Sequence, residues 1–445
     1  MGKFSSNLLI FVRAQLIYFL CVFMVLYPAL PSFAGGVTVD PSSGSTSVGS
    51  SNGVDVININ APSASGVSHN KYTDYNVGSN RLIINNAGHN GYGNSQLSGQ
   101  DIGANANLGG KSAGIILNEV TGNNRSEIKG TTEIYGQKAD LIIANPNGIA
   151  IQGAGFINVD KFSAVVGTPN MNGGAIRDYT ISPMGILSVD GMGEERFGVN
   201  TANSAVLVAD MVKLAGTIAV DEDLTVLTGN ESYDPATGTV TSTNTAVKPS
   251  IAVDAHALGA MSAGSIKIHA SQTALGVNVD SALISSSSGL EIPADGNIVY
   301  KDLSASDTVR IESASGAVTQ SSGGRITADD VLIHAEGDIR QENIEASSIE
   351  MVSSGKIVNK GTLDSTGNST FTSENFENYG DITGSNIRFT TEDNFTNNNN
   401  AKIAADNDLT IQTGLNLKNG QAASISAGRD LVLTGHDGYL DNVSD

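Results

Sequence analysis

The sequence predicts an all-β protein built as a right-handed parallel β-helix, a solenoid, and three observations predict it. Apolar pairs at i and i+2 recur from about residue 265 onward, commonly followed by another apolar residue at i+8. From Val331 to Leu431 the successive pairs begin 18, 20, 18, 22 and 22 residues apart, an array with a period near 20. Between the apolar positions stand Gly, Asn, Asp and Ser, which turn a chain at little cost. With 51 glycines, ten prolines, no Trp and 40% apolar residues, composition is compatible with disorder or with a solenoid; the periodicity decides for the solenoid.

The first element is a leader. Lys3 and Arg13 precede an almost entirely apolar run from Leu16 to Leu26, which ends in Tyr-Pro-Ala-Leu-Pro-Ser-Phe-Ala. Pro28 and Pro31 break a helix, and Ser32 and Ala34 supply the small −3 and −1 side chains of a signal-peptidase site, so cleavage is expected between Ala34 and Gly35 after export by the Sec machinery. The run is shorter than the roughly 20 residues of a spanning helix, which predicts a soluble, exported mature chain. Cys21, the only cysteine, lies in this leader, so the mature chain is expected to have neither disulfide nor thiol chemistry. Removing Lys3 and Arg13 from 24 basic residues leaves 22 against 45 acidic ones, a mature net charge of −23. Such a chain is repelled by phosphate backbones, and no nucleic-acid partner is expected.

Residues 35–200 follow with strand-like runs at 81–86 (RLIINN), 113–120 (AGIILNEV) and 139–146 (ADLIIANP), the first two separated by a Gly-rich loop at 88–110. The third run enters the tetrapeptide Asn145-Pro146-Asn147-Gly148, which reads as a tight turn. Pro146 sets φ for position i+1, Asn147 tolerates a bridge or left-handed conformation, Gly148 lacks the Cβ restriction, and Asn145 caps the turn through its own amide.

In the C-terminal half the inward sets include Val331/Ile333/Ile339, Ile349/Met351/Ile357, Ile387/Phe389/Phe395, Leu409/Ile411/Leu417 and Leu431/Leu433/Tyr439, with Ser369/Phe371 an imperfect member. Ile326, Ile344, Leu363, Ile382, Ile403 and Ile425 add a third position five or six residues before each pair. Three short strands per turn of this length define a parallel β-helix; the leucine-rich alternative needs a spacing and a helical return that are not seen. About ten coils over residues 251–445, stacked at ~4.8 Å, would give a rod on the order of 45–50 Å.

Five co-linear segments, GGVTVDP (35–41), GVSHNKY (66–72), ILNEV (116–120), GQKADLIIANPNGI (136–149) and GAGFINV (153–159), resemble the filamentous-haemagglutinin-like N-terminal domain, the secretion domain of two-partner secretion exoproteins. The match is dense over 35–170 and weaker to about 250, and the downstream array resembles the haemagglutinin repeats of the same proteins. The resemblance implies a signal peptide at 1–34, a secretion domain at 35–250 and β-helical repeats at 251–445. It also implies a dedicated outer-membrane β-barrel transporter whose periplasmic domains bind the 35–250 region in extended form, and a product secreted from, or held on the surface of, a Gram-negative bacterium. The NPNGI motif carries over to Asn145, Pro146, Asn147, Gly148 and Ile149. The second motif, usually Asn-Pro-Asn-Leu, falls on Asn105, Ala106, Asn107 and Leu108, and the missing proline relaxes φ in that turn. The cysteine pair that many relatives carry before the GFIN segment is replaced by IQGAGF.

The function implied is that of a haemagglutinin-like adhesin recognising a receptor or glycan on a host or neighbouring cell. Delivery of a contact-dependent growth-inhibition toxin is the alternative, and a glycan-active β-helix enzyme is a third. No enzymatic activity, cofactor or metal is expected. The acidic pairs Asp329-Asp330 and Glu194-Glu195 fall at turn positions, the six histidines His69, His89, His256, His269, His334 and His436 lack metal-ligand spacing, and no phosphate-binding loop, nucleophile elbow or zinc pattern is present.

Overall fold

A computed structural model describes residues 36–192, 202–243, 251–255 and 260–442. The leader with Cys21, the Ala34/Gly35 junction, Glu194-Glu195 and His256 lie outside the described residues.

One inward ladder organises the chain. Ser68, Ile116, Leu141, Phe162, Ala205, Leu224, Ile266, Leu290, Val309, Val331, Ile349, Ser369, Ile387, Leu409 and Leu431 stand in successive parallel register. Fourteen steps at ~4.8 Å make a parallel β-solenoid roughly 65–70 Å long. The ladder passes from Leu224 to Ile266 without a seam, so the N-terminal coils and the repeats share one core. Nine ladder positions fall within 251–445, against the ten or so expected.

The strands form where period-2 alternation allows it. Arg325–Ala335 buries Ile326, Ala328, Val331, Ile333 and Ala335, and the alternation slips at Asp329-Asp330. That acidic pair is the corner between two faces of a coil, as its turn-like sequence predicts, and the Asp330 carboxylate accepts the Ser348 hydroxyl at 2.5 Å. The third positions Ile326, Ile344, Leu363, Ile382, Ile403 and Ile425 stack in register as expected. Ser369 fits the apolar column because its hydroxyl lies 2.7 Å from the buried Ser365 hydroxyl. Phe371 and Phe389 stack at 4.9 Å, and Phe376 and Phe395 at 5.4 Å.

One inward assignment fails. Leu440, not Tyr439, stands in register with Leu417, and on this last described coil both side chains are exposed. Seven residues separate Leu433 from Leu440, where six separate Ile411 from Leu417, so one extra residue in the turn changes which residue takes that register.

Antiparallel strands that the sequence reading did not anticipate are added at two places. At the N-terminal end Val37–Val39 pairs antiparallel with Val67–Tyr75, and Ser47–Ser51 forms a hairpin with Val54–Asn58. Val54–Asn58 then starts a parallel sheet with Leu82–Asn86, Thr132–Gly136 and Phe156–Ile157. These segments occupy strand edges that would otherwise be open to pairing. Farther along, Gly167–Asn172, Ala175–Ile181, Ser232–Asp234 and Thr239–Thr241 form a four-stranded antiparallel sheet outside the coils. Its first hairpin turns at Gly173-Gly174, both with positive φ (58° and 84°), the conformation a tight two-residue hairpin loop demands. The sheet packs on Leu117, Ile142, Val165, Val208 and Leu227, which project outward from the coils.

Candidate functional site

The Asn145 turn is built from the strand Ala139–Ala144, which delivers the chain to its corner, and Ile149–Ala154, which carries it into the next face. Gly148 N–H donates to the Asn145 carbonyl at 3.2 Å and Asn147 N–H to Asn145 Oδ1 at 2.9 Å. The Asn145 amide nitrogen donates to the Asn124 carbonyl and to Ser126 Oγ, both at 3.0 Å, on the preceding coil. Asn147 Nδ2 reaches the Gly122 carbonyl at 2.8 Å. Gly148 has φ +109° and a Cβ there would stand 3.0 Å from the Ile186 carbonyl, so conformation and space both require glycine. Ile149 is a core residue in register with Ser126 and Leu187. Asn145 is wholly buried, and the outer surface of the turn is presented by Pro146 and Asn147.

The turn at Asn105 repeats this scheme without proline. Asn107 N–H donates to Asn105 Oδ1 at 3.0 Å and Leu108 N–H to the Asn105 carbonyl at 3.1 Å. Asn105 Nδ2 donates to the carbonyls of Ile59 and Asn85, both at 3.0 Å, and Asn107 Nδ2 to the Ser45 carbonyl at 2.8 Å. The segment Ala106–Leu108 is a single 3₁₀ turn that Gly109 ends with a left-handed φ of 58°. The rigidity that the missing proline put in question is supplied by the asparagine amides, since each buried polar group is paired and leaving one unpaired costs about 1–3 kcal/mol. Neither turn brings a titratable group into hydrogen-bond contact with the motif amides. Both fasten one coil to the next and offer no acid, base or nucleophile.

The described histidines are dispersed. His69 lies 2.6 Å from Glu119, His334 lies 3.0 Å from Glu350, His89 stacks on Tyr92 and His436 is beside Asp437. His269 is held below the usual imidazole range, first by burial and then by Lys267. Among the described residues no group of three or more His, Cys, Asp or Glu is placed to hold a metal ion.

Two buried carboxylates escaped the sequence reading. Glu133, 4% exposed, accepts the Ser95 hydroxyl at 2.6 Å and the N–H groups of Gln96 and Leu97 at 2.9 and 3.0 Å, which fastens the 88–110 loop to the coils. Asp210 accepts the Met184 N–H at 2.5 Å and the Gln272 amide, and burial pushes its carboxyl up. An isolated acid in a β-branched run was the available signal for Glu133. An asparagine column, buried at its first three members, was also missed: Asn359, Asn378, Asn397 and the half-buried Asn419 pass amide hydrogen bonds along the coils at 2.8, 2.9 and 2.8 Å. Its signal was an Asn two residues after Ile357, Phe376, Phe395 and Leu417.

The family model described as the TPS secretion domain matches residues 36–300. A protein of Yersinia mollaretii called tRNA nuclease CdiA is 31% identical over 373 residues, covering 81% of this chain and 12% of the relative. A protein of Proteus mirabilis called hemolysin is 35% identical over 246 residues, covering 55% of this chain and 15% of the relative. The chain therefore spans only a small fraction of the length of these relatives. The crystal structure of a filamentous hemagglutinin secretion domain aligns with 92% of this chain and 100% of its own at 23% identity and a TM-score of 0.46.

Proposed function

Because this chain belongs to the two-partner secretion family through its TPS secretion domain, we propose that it is a surface or secreted adhesin exported by a partner outer-membrane β-barrel transporter. In this reading the leader is removed between Ala34 and Gly35 after Sec export, and periplasmic domains of the transporter bind the N-terminal region before it folds. The observation that carries the proposal is the family match over residues 36–300, on a ladder that runs unbroken from Ser68 to Leu431. A rod of this kind places a binding surface away from the cell, and its target is a receptor or glycan on a host or neighbouring cell.

The solenoid also supplies a physical means of export. Each coil contacts only its neighbours, so coils can be added one at a time as the chain emerges, and folding outside draws the remainder outward. Destabilising an early coil should therefore slow secretion, and unchanged secretion would count against that mechanism. A second reading is favoured by the relative called tRNA nuclease CdiA, of which this chain spans 12%: the chain would be the delivery portion of a toxin. Neither reading assigns a catalytic step to these residues.

The test is fractionation of the native bacterium, with and without the transporter, followed by intact-mass analysis. Protein beginning at Gly35 in the medium or on the surface, dependent on the transporter, is the expected result. Protein confined to the periplasm of transporter-bearing cells would overturn the export reading. A mass exceeding residues 35–445, with a nuclease-like domain in the excess, would select toxin delivery over adhesion.

A further inference from the structure

A polar cleft of about 370 Å³ opens between the 88–110 loop and the sheet strands Thr132–Gly136 and Phe156–Ile157. The loop contributes Tyr92, Asn94 and Gln96, and Lys138 also lines the cleft. The loop is pinned to the sheet by the three hydrogen bonds to buried Glu133. Tyr135 adds a second fastening, its Oη lying 2.6 Å from Asp101 Oδ1 and 2.8 Å from the Gly93 carbonyl. Tyr92 is braced by His89, stacked at 4.6 Å, and by the edge-on Tyr135 ring at 6.2 Å. The cleft is thus preformed, as ligand sites generally are, and the cost of ordering its walls is met in folding.

Its chemistry narrows the occupant. An anion finds no free cation, because Lys138 Nζ is 2.8 Å from Asp160 and the whole chain carries a net charge of −21. A cation finds no free carboxylate at Glu133, whose two oxygens already accept three hydrogen bonds. An apolar ligand would strip water from the side-chain amides of Asn94 and Gln96, which have no protein partner among the described residues. What remains is a ligand with uncharged groups that both donate and accept, matched to two free amides, and with a C–H surface that can lie against a tyrosine ring.

We propose that this cleft is a binding subsite for a neutral saccharide, with Asn94 and Gln96 bonding its hydroxyls and Tyr92 supporting its ring. The assignment rests on the surface-adhesin reading for its use, and it places one ligand site on the secretion-domain end of the rod.

The test uses the full exported chain on an array of neutral hexose and N-acetylhexosamine oligosaccharides alongside sialylated and sulfated ones, followed by calorimetric titration of the best neutral binder. Tyr92→Ala and the double variant Asn94→Ala/Gln96→Ala should each weaken binding by about tenfold or more, and Tyr92→Phe should stay within about threefold. The double variant removes only exposed side chains without hydrogen-bond partners among the described residues, so it remains decisive if Tyr92→Ala disturbs the loop. Absence of neutral-saccharide binding up to about 1 mM, binding of anionic glycans alone, or undiminished binding by the double variant would overturn the proposal. These results are separable from failure of the export reading, which is registered by where the protein is found in the cell.

Discussion

At Asn105 and at Asn145 a buried asparagine does three things: its carbonyl closes the turn, its side-chain oxygen holds the N–H two residues ahead, and its amide nitrogen bonds two acceptors on adjoining chain. The two regions differ at the next residue, Ala106 in one and Pro146 in the other, and in where the positive-φ glycine sits. In the first turn a 3₁₀ segment postpones it to Gly109; in the second Gly148 takes φ +109° inside the tetrapeptide. The lesson is that the hydrogen-bonded asparagine defines the turn, and proline only narrows the unfolded ensemble.

The strongest attempt to break this equivalence is Asn145→Ala beside Asn105→Ala. Each removes the partner of a backbone N–H and of two acceptors, both on buried residues for Asn105 and one of them, Ser126, buried for Asn145, and each should destabilise the folded chain by about 2–3 kcal/mol in urea denaturation. A difference between them of more than about 1 kcal/mol would mean that proline, or some other local feature, changes the role of the asparagine. Gly148→Ala comes next, at about 2 kcal/mol, because φ +109° is outside the left-handed well and a backbone oxygen lies 3.0 Å from the new Cβ. Gly109→Ala should cost less, about 1 kcal/mol, since φ is 58° and nothing stands within 4 Å.

Exchanging the distinguishing residue should have smaller effects of opposite sign. Asn105 has φ −78° and ψ 110°, a conformation that suits the residue before proline. Ala106→Pro should therefore stabilise by about 0.4–1 kcal/mol, and Pro146→Ala should lose a similar amount, both read as shifts in the urea midpoint at constant m-value. Destabilisation by Ala106→Pro would show that the first turn has a geometry of its own.

The smallest effect concerns a tether near the second turn. The Asp40 carboxylate accepts hydrogen bonds from Thr121 and Ser42, which hold its pKa down at about 2, and Thr121 precedes the Gly122 and Asn124 carbonyls that the motif amides engage. A carboxyl lowered in the folded state contributes stability above its unfolded pKa near 3.8, and that contribution is lost as pH falls toward 2. Asp40→Asn should flatten this part of the stability profile slightly; an unchanged slope between pH 4 and 2 would show that the tether has no part in acid stability.

Legibility differs along the chain for a physical reason. In the C-terminal coils outward residues face water, so Arg325–Ala335 and Asn343–Ser353 alternate on either side of a single corner slip, and every third-segment isoleucine or leucine named from the sequence stands in its ladder. In the N-terminal coils Leu117, Ile142, Val165 and Val208 are buried on the outer face as well, which makes the runs continuous and hides their direction. The Asn145 turn was visible because Asn, Pro and Gly act locally, and the Asn105 turn because its segment resembles the family's second motif. The partners of their amides were not, because Asn124, Ile59 and Asn85 reach the turns only through coil stacking.

The all-β class, the coil period, most inward residues and the Asn145 turn were legible in the sequence, since each depends on side-chain alternation or on the conformational limits of a few adjacent residues, while the Asn105 turn was placed by resemblance to the family's second motif. Tertiary structure alone decided the antiparallel sheet on the outer face, the asparagine column, the burial of Glu133 and the pairing of Leu440 with Leu417. Those depend on which surfaces meet after the coils stack, and a one-residue difference in a turn or a second buried face reverses the local signal.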